Sequence, residues 1–138
     1  TLVTHLHNIL AGELTPAEQD ETLTTYAPKI ETRDAAIDWS LPAAELARRV
    51  RAYNPFPGTF CFVAGNAGGE PVRLKIWRAT VVDGDAEPGT VLQSDPGGVI
   101  VACGSGALRL DELQLPGKRR TIAREFAGQL DLSGKRLE

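Results

Sequence analysis

Arg51-Ala52-Tyr53-Asn54-Pro55-Phe56-Pro57-Gly58-Thr59-Phe60 closes a helix, bends the backbone and starts a strand within ten residues. Pro55 and Pro57 each lack a backbone N–H and hold φ near the proline value, so a helix cannot run past Asn54. Gly58 lets the chain turn into Thr59-Phe60-Cys61-Phe62-Val63, whose aromatic and β-branched residues read as a strand. Upstream, Ala43, Leu46, Ala47, Val50 and Tyr53 recur at i, i+3, i+4, i+7 spacing, which predicts an amphipathic helix over residues 41–53. Ser40 is its expected N-cap, and Arg48, Arg49 and Arg51 fan around the polar side.

Downstream the pattern changes to short strands. Residues 59–64 and 72–82 flank Gly65-Asn66-Ala67-Gly68-Gly69, a hairpin loop, and Val81 and Val82 are expected to bend away as a separate strand. Residues 89–93 and 99–103 flank a second hairpin loop, Ser94-Asp95-Pro96-Gly97-Gly98. Gly104-Ser105-Gly106 turns into a strand over 107–115. Pro116-Gly117-Lys118-Arg119-Arg120 is a basic loop, 121–130 a short helix, and Arg136-Leu137 returns to the sheet. This series predicts a mainly β fold with helices, built as a small closed or nearly closed barrel.

Before the junction, residues 1–11 predict a short helix with Leu2, Leu6, Ile9 and Leu10 on one side and Gly12 at its C-terminal cap. Residues 13–36 are polar and lack sustained periodicity, so they read as an interdomain linker. Three units are expected: the helix at 1–12, the linker at 13–36 and the barrel domain at 37–138. The chain holds no Met, begins with Thr1 and opens in a helical pattern without a cap, and is expected to be a fragment of a longer protein.

Its 138 residues suffice for one modest core, and 42% hydrophobic and 24% charged residues are ordinary for a globular chain. No apolar run approaches the ~18 residues of a transmembrane helix, and no signal-peptide pattern is visible. Cys61 and Cys103 each lie in an apolar strand and are expected as buried, reduced thiols. No CxxC or Cys/His cluster points to a metal. The net charge is −3, with Glu13, Glu18, Asp20 and Glu21 unopposed in residues 1–28. Overall charge gives no argument for nucleic acid. A local one exists: Lys118, Arg119, Arg120, Arg124, Lys135 and Arg136 face only Glu125 and Asp131 between Gly117 and Leu137, and are expected to form one positive surface.

Other polar groups support no chemistry. His5 and His7 are two apart on a helix and cannot chelate one metal. Gly104-Ser105-Gly106 lacks the following helix and third glycine of a dinucleotide fingerprint. Asp83, Asp85 and Glu87 lack the spacing of a calcium loop. No Ser/His/Asp or Cys/His arrangement is present, so no catalytic residue is assigned. Trp39 and Trp77 lie in apolar contexts and are expected in the core.

A series of motifs carries a resemblance. Gln19-Asp20-Glu21-Thr22-Leu23, Tyr26-Ala27-Pro28-Lys29-Ile30 and Ile37-Asp38-Trp39 come first, followed by the helix exit at 50–58. Lys75-Ile76-Trp77, Pro88-Gly89-Thr90, Val101-Ala102-Cys103-Gly104, Gly106-Ala107-Leu108 and Gln114-Leu115-Pro116-Gly117-Lys118-Arg119 complete it. In order and spacing, nearly the whole chain resembles the linker and C-terminal domain of the methionyl-tRNA formyltransferase family.

The resemblance implies an OB-like barrel joined through the linker to an N-terminal Rossmann-type formyltransferase domain outside this chain. Residues 1–12 would be the last helix of that domain. The whole enzyme would be a one-carbon transferase of translation initiation, moving a formyl group from its co-substrate 10-formyltetrahydrofolate to the methionine amino group of initiator Met-tRNA. The family's catalytic Asn, His and Asp belong to the N-terminal domain, and no residue here matches them. The chain alone is therefore expected to be inactive: a cytoplasmic monomer without metal, cofactor or membrane association. Its expected partners are the tRNA acceptor arm and the N-terminal domain.

The family's linker and C-terminal domain hold the tRNA along a basic channel, which implies tRNA binding by Lys29, Arg51, Lys118, Arg119, Arg120 and Arg124. For Arg51 a structural salt bridge or cap is the alternative. The chain departs from the family at Ile122, where a Ser or Thr often precedes the last helix, leaving Thr121 as the substitute cap. The 64–71 loop is also glycine-rich and longer than in some relatives. Two other readings are the C-terminal domain of a formyltransferase acting on a sugar nucleotide or a folate, and a structural or protein-binding barrel without RNA contact. The Tyr-Ala-Pro-Lys and Gln-Leu-Pro-Gly-Lys-Arg motifs favour the tRNA enzyme.

Overall fold

The computed structural model describes residues 2–64, 69–126 and 129–138, so most of the expected 65–69 hairpin loop lies outside the described residues. Helix α1 (Leu2–Leu10) ends at Gly12, where φ is +71°. The Gly12 and Glu13 amides donate to Ile9 O and Asn8 O, the paired bonds of a Schellman cap. No residue of α1 is buried, and Leu2, Leu6, Ile9 and Leu10 all face solvent. Residues 13–34 are exposed throughout, with one 3-10 turn at Glu21–Leu23 and another starting at Thr32. The chain meets the core from Ala35, and the Ile37 amide donates to Phe60 O.

Helix α2 (Ala43–Ala52) buries Ala43, Leu46, Ala47 and Val50, the face expected from the spacing. Its start differs from expectation. Ser40 does not cap it; the Ser40 hydroxyl donates to Asp38 Oδ1 at 2.6 Å and its amide to the same oxygen at 3.0 Å. These bonds, the hydroxyl's above all, hold the Asp38 carboxylate below its usual range. Pro42 occupies the N-cap, and the first helical amide, Ala43 N–H, donates to Ser105 O at 2.9 Å. A turn more than sixty residues away thus satisfies a donor that the local sequence leaves open.

After α2 the chain turns at the two prolines. The Asn54–Pro55 and Phe56–Pro57 peptides are both cis, Gly58 has φ +83°, and Gly58 N–H donates to Tyr53 O at 2.9 Å. Strands β1 (Phe60–Val63), β2 (Val72–Val82), β3 (Val91–Asp95), β4 (Gly98–Ala102), β5 (Ala107–Gln114) and β6 (Thr121–Ile122) form one antiparallel sheet. Its order is β1-β2-β5-β4-β3, with β6 on the C-terminal half of β5. The sheet curls around Leu74, Ile76, Val99, Leu108, Leu110 and Leu113, all buried. The expected mainly β, barrel-like class is therefore observed.

The tail bridges the two edge strands. Leu137 pairs with Val63 and Arg136 with Thr90. Phe62 and Glu138 exchange both backbone bonds, at 2.6 and 2.9 Å, while Leu137 N–H donates to Gly89 O at 2.9 Å. Gly89 is required at this crossing, since a Cβ there would lie 2.5 Å from Leu137 O.

Four local expectations are corrected. Val81 and Val82 remain in β2, opposite Leu108 and Ala107, because Trp77 on β2 and Asp111 on β5 are single extra residues that offset one another. The second hairpin tightens to Pro96-Gly97, as Asp95 Oδ1 accepts the Gly97 amide at 2.6 Å. Thr121 is a buried strand residue whose hydroxyl donates to Leu113 O at 3.4 Å, not a helix cap. Helix α3 spans Ala123–Phe126, and residues 127–128 of the expected helix lie outside the described residues.

Cys61 and Cys103 are free and buried as expected. Burial pushes the Cys61 thiol up to about 12 from 9.0 and the Cys103 thiol up to about 11 from 9.0. The stability gained by keeping both protonated is fully present below the unfolded value and is lost as pH rises through the folded values. Alkylation by iodoacetamide at pH 8 is expected to run at least about a hundredfold slower on native than on urea-unfolded chain. Equal rates would show that the thiols are open to solvent.

Candidate nucleic-acid interface

Strand β2 is inward at Leu74 and Ile76, so Arg73, Lys75 and Trp77 share its outer side. Trp77 continues that alternation and is also the extra residue of the bulge, so it lies outside the core expected for it. It is half-buried; Trp39, by contrast, is in the core. The bulge carbonyl, Trp77 O, accepts from Asn54 Nδ2 at 3.1 Å, so the junction asparagine satisfies it. Trp77 Nε1 donates to Gln114 Oε1 at 2.9 Å, and Gln114 Nε2 donates to Lys118 O at 2.8 Å. This relay ties the basic loop to the tryptophan.

Cations gather around that ring. The Arg120 guanidinium lies 3.8 Å from the Trp77 ring centre and Lys75 Nζ 5.4 Å from it. Arg120 also reaches Glu112 at 3.7 Å, and Arg119 pairs with Glu125 at 3.2 Å across exposed surface. Such exposed pairs are worth about 0–1 kcal/mol and leave the cations available to a polyanion. The Lys118 head group is exposed, with no ion pair among the described residues.

Of the other expected residues, Lys29 is exposed and lines a shallow recess with Ile30, Glu31, Thr32, Arg33 and Phe56. Phe56 belongs to the junction loop, and a Cβ built on Gly58 of that loop would lie 3.8 Å from Trp77 and 3.9 Å from Lys75 Nζ. Lys29 and the 118–120 loop thus flank one junction. The Arg51 and Arg124 side chains are exposed, each without a hydrogen-bond or ion-pair partner among the described residues; Arg51 meets the junction through its backbone, whose carbonyl accepts from Asn54 N–H at 3.3 Å. The single positive surface expected to include Arg136 is not observed: Arg136 bridges to Thr90 and pairs with Glu87. Tertiary pairing of the tail with β3 draws it there.

Arg73, Lys75 and Gln114 were not singled out from the sequence. The signal was the period-two pattern Arg73-Leu74-Lys75-Ile76-Trp77, which puts two cations and a ring on one face. Together these side chains present a surface of cations gathered around one ring, suited to phosphates. Among the described residues no cluster of His, Cys, Asp and Glu could hold a metal, and no helix is long and apolar enough to cross a membrane.

A family model described as "Formyl transferase, C-terminal domain" matches residues 29–130. The chain is 47% identical over 131 residues to a methionyl-tRNA formyltransferase of Paraburkholderia phymatum, covering 93% of this chain and 38% of that protein. It is 46% identical over 138 residues to the methionyl-tRNA formyltransferase of Aromatoleum aromaticum, covering 99% of this chain and 42% of the relative. The chain thus spans about two fifths of the length of these curated relatives. Among solved structures, HypX from Aquifex aeolicus in complex with tetrahydrofolic acid matches with a TM-score of 0.61 at 21% identity, over 93% of this chain and 22% of HypX. At that identity the likeness concerns the fold alone.

Proposed function

This chain belongs to the formyl transferase C-terminal domain family, and from that membership we propose that it is the tRNA-holding part of a methionyl-tRNA formyltransferase. The observation that carries the reading is the convergence of Lys75 and Arg120 on Trp77, which Gln114 ties to the Lys118 backbone carbonyl, beside the junction loop that Lys29 flanks. An acceptor stem is an A-form helix, bound through phosphates and end geometry, which fixed cations serve without base readout. Lys29, Arg51, Arg119 and Arg124 extend the surface in this reading.

The whole enzyme would formylate the methionine amino group of initiator Met-tRNA with 10-formyltetrahydrofolate, in the cytoplasm, as a monomer. The folate and the reacting groups would be held by an N-terminal domain. The solvent-facing apolar side of α1 supports its assignment, at 1–12, to that neighbouring domain, and the uniformly exposed 13–34 stretch supports a linker over 13–36. The barrel unit would be 37–138.

The test is titration of the chain with an acceptor-stem hairpin over a range of salt. Lys118→Ala with Arg119→Ala removes two phosphate contacts and is expected to flatten the log–log salt slope by roughly 1.4–1.8. An unchanged slope rejects the loop as an RNA contact. The same preparation is expected to transfer no formyl group from 10-formyltetrahydrofolate to Met-tRNA. Turnover that tracks the purified chain would overturn the division of labour.

A further inference from the structure

The outer side of β2 carries two cations whose charge nothing described neutralises. Arg73 and Lys75 are two apart, so they share a face, and neither has an ion-pair partner among the described residues. Both line a recess of about 240 Å³ together with Gln114, Leu115, Pro116 and Gly117. The Arg73 guanidinium is held 3.6 Å from the centre of the Phe60 ring, which fixes where its donors sit. Its Nε is buried and has no hydrogen-bond acceptor. An adjoining groove, lined by Val72, Arg73, Leu115 and Lys118, continues the recess toward the basic loop. The carboxylate on that groove is Glu70, and it makes no ion pair with Arg73.

Two like charges on one face oppose the arrangement. A ligand that brings anionic oxygens relieves this. An arginine fork held in place by an aromatic ring suits a tetrahedral oxyanion. We propose that Arg73 and Lys75 form a phosphate seat, which takes one backbone phosphodiester of the bound RNA. The proposal rests on the RNA-binding reading of this face and adds Arg73 and a fixed point to it. The seat is open along the groove to Lys118 and lies two residues along the strand from Trp77, so a polymer can continue in both directions. A lone phosphate would have only these two side chains.

The seat is tested with the chain and its Arg73→Gln/Lys75→Gln variant, titrated with the acceptor-stem hairpin at several salt concentrations. Loss of one phosphate contact is expected to flatten the log–log slope by about 0.7–0.9. Because Arg73 also packs on Phe60, Lys75→Gln alone is the second variant, with a shallower slope and an unchanged unfolding midpoint. If the parent chain binds RNA and both variants match it, the seat is overturned while the RNA reading stands. A second arm adds inorganic phosphate at constant ionic strength and follows the amide resonances of residues 73–77. If RNA does not bind but phosphate shifts these resonances in the parent and not in the variants, the seat is a free-phosphate site and the RNA reading falls. No response to either probe overturns both.

Discussion

Gly104→Ala is expected to destabilise the chain by about 3 kcal/mol or more, lowering Tm by roughly 10 °C. Gly104 N–H donates to both Trp39 O and Leu41 O, at 2.9 and 3.1 Å, so its backbone lies against the segment leading into α2. A Cβ there would stand 1.8 Å from Ser40 O and 2.6 Å from Ser40 C. These are backbone atoms, which no rotamer change can move aside. Accommodating a methyl group must separate the two segments, and the same turn supplies the Ser105 carbonyl to the first amide of α2. Helix, turn and the buried Trp39 side chain are disturbed together. Gly12→Ala is the control: nothing lies within 4 Å of its Cβ, so only its φ of +71° is strained, at about 1 kcal/mol. Urea unfolding of both variants checks the ranking. A Gly104→Ala midpoint at or above that of Gly12→Ala would refute the close-approach argument.

Ending the chain at Gly134 is expected to cost about 5 kcal/mol or more, enough to leave a domain of ordinary stability largely unfolded. The deletion removes the strand that joins β1 to β3. Lost are the Phe62–Glu138 bonds, the Leu137 N–H to Gly89 O bond and the Val91 N–H to Lys135 O bond, each worth about 0.5–1.5 kcal/mol net. Lost too is Leu137, whose side chain is 2% exposed; its replacement by Ala alone should cost about 2–5 kcal/mol. Hydrogen exchange reports the effect locally: the Phe62 and Val91 amides should lose protection before the β2–β5 amides do in Leu137→Ala. Uniform protection loss would mean that the tail is part of the global unfolding unit.

Much of the fold was legible because it is set by neighbours in sequence. Pro55 and Pro57 stop α2 through their own φ and missing donors, and Gly12 and Gly58 adopt positive φ where turns were expected. The i, i+3, i+4, i+7 face of α2 and the inward Leu74 and Ile76 follow from period alone. The motif series identified the family that the comparison with known proteins then showed. What failed did so where another partner took the group that a cap would have used. Ser40 has the chemistry of a cap, but Asp38 takes its hydroxyl and Ser105 serves the helix. Thr121 has it too, but Leu113 O draws it into the sheet.

For the candidate interface the division is sharper. The sequence alone supplied its charge inventory, Lys29 and the 118–120 loop, because a Pro-Gly turn throws successive basic side chains outward whatever surrounds it. Only the tertiary structure decided which cations converge. Strand alternation puts Trp77 on the outer face, but only the pairing of β2, β5 and β6 brings Arg120 over its ring and Gln114 between it and the Lys118 carbonyl. Pairing of the tail with Thr90 sends Arg136 elsewhere. Strand register and bulges are set by the sum of contacts across the sheet, and shifting either by one residue reverses the face that a side chain occupies. Local composition therefore names the charges, and long-range pairing decides where they meet.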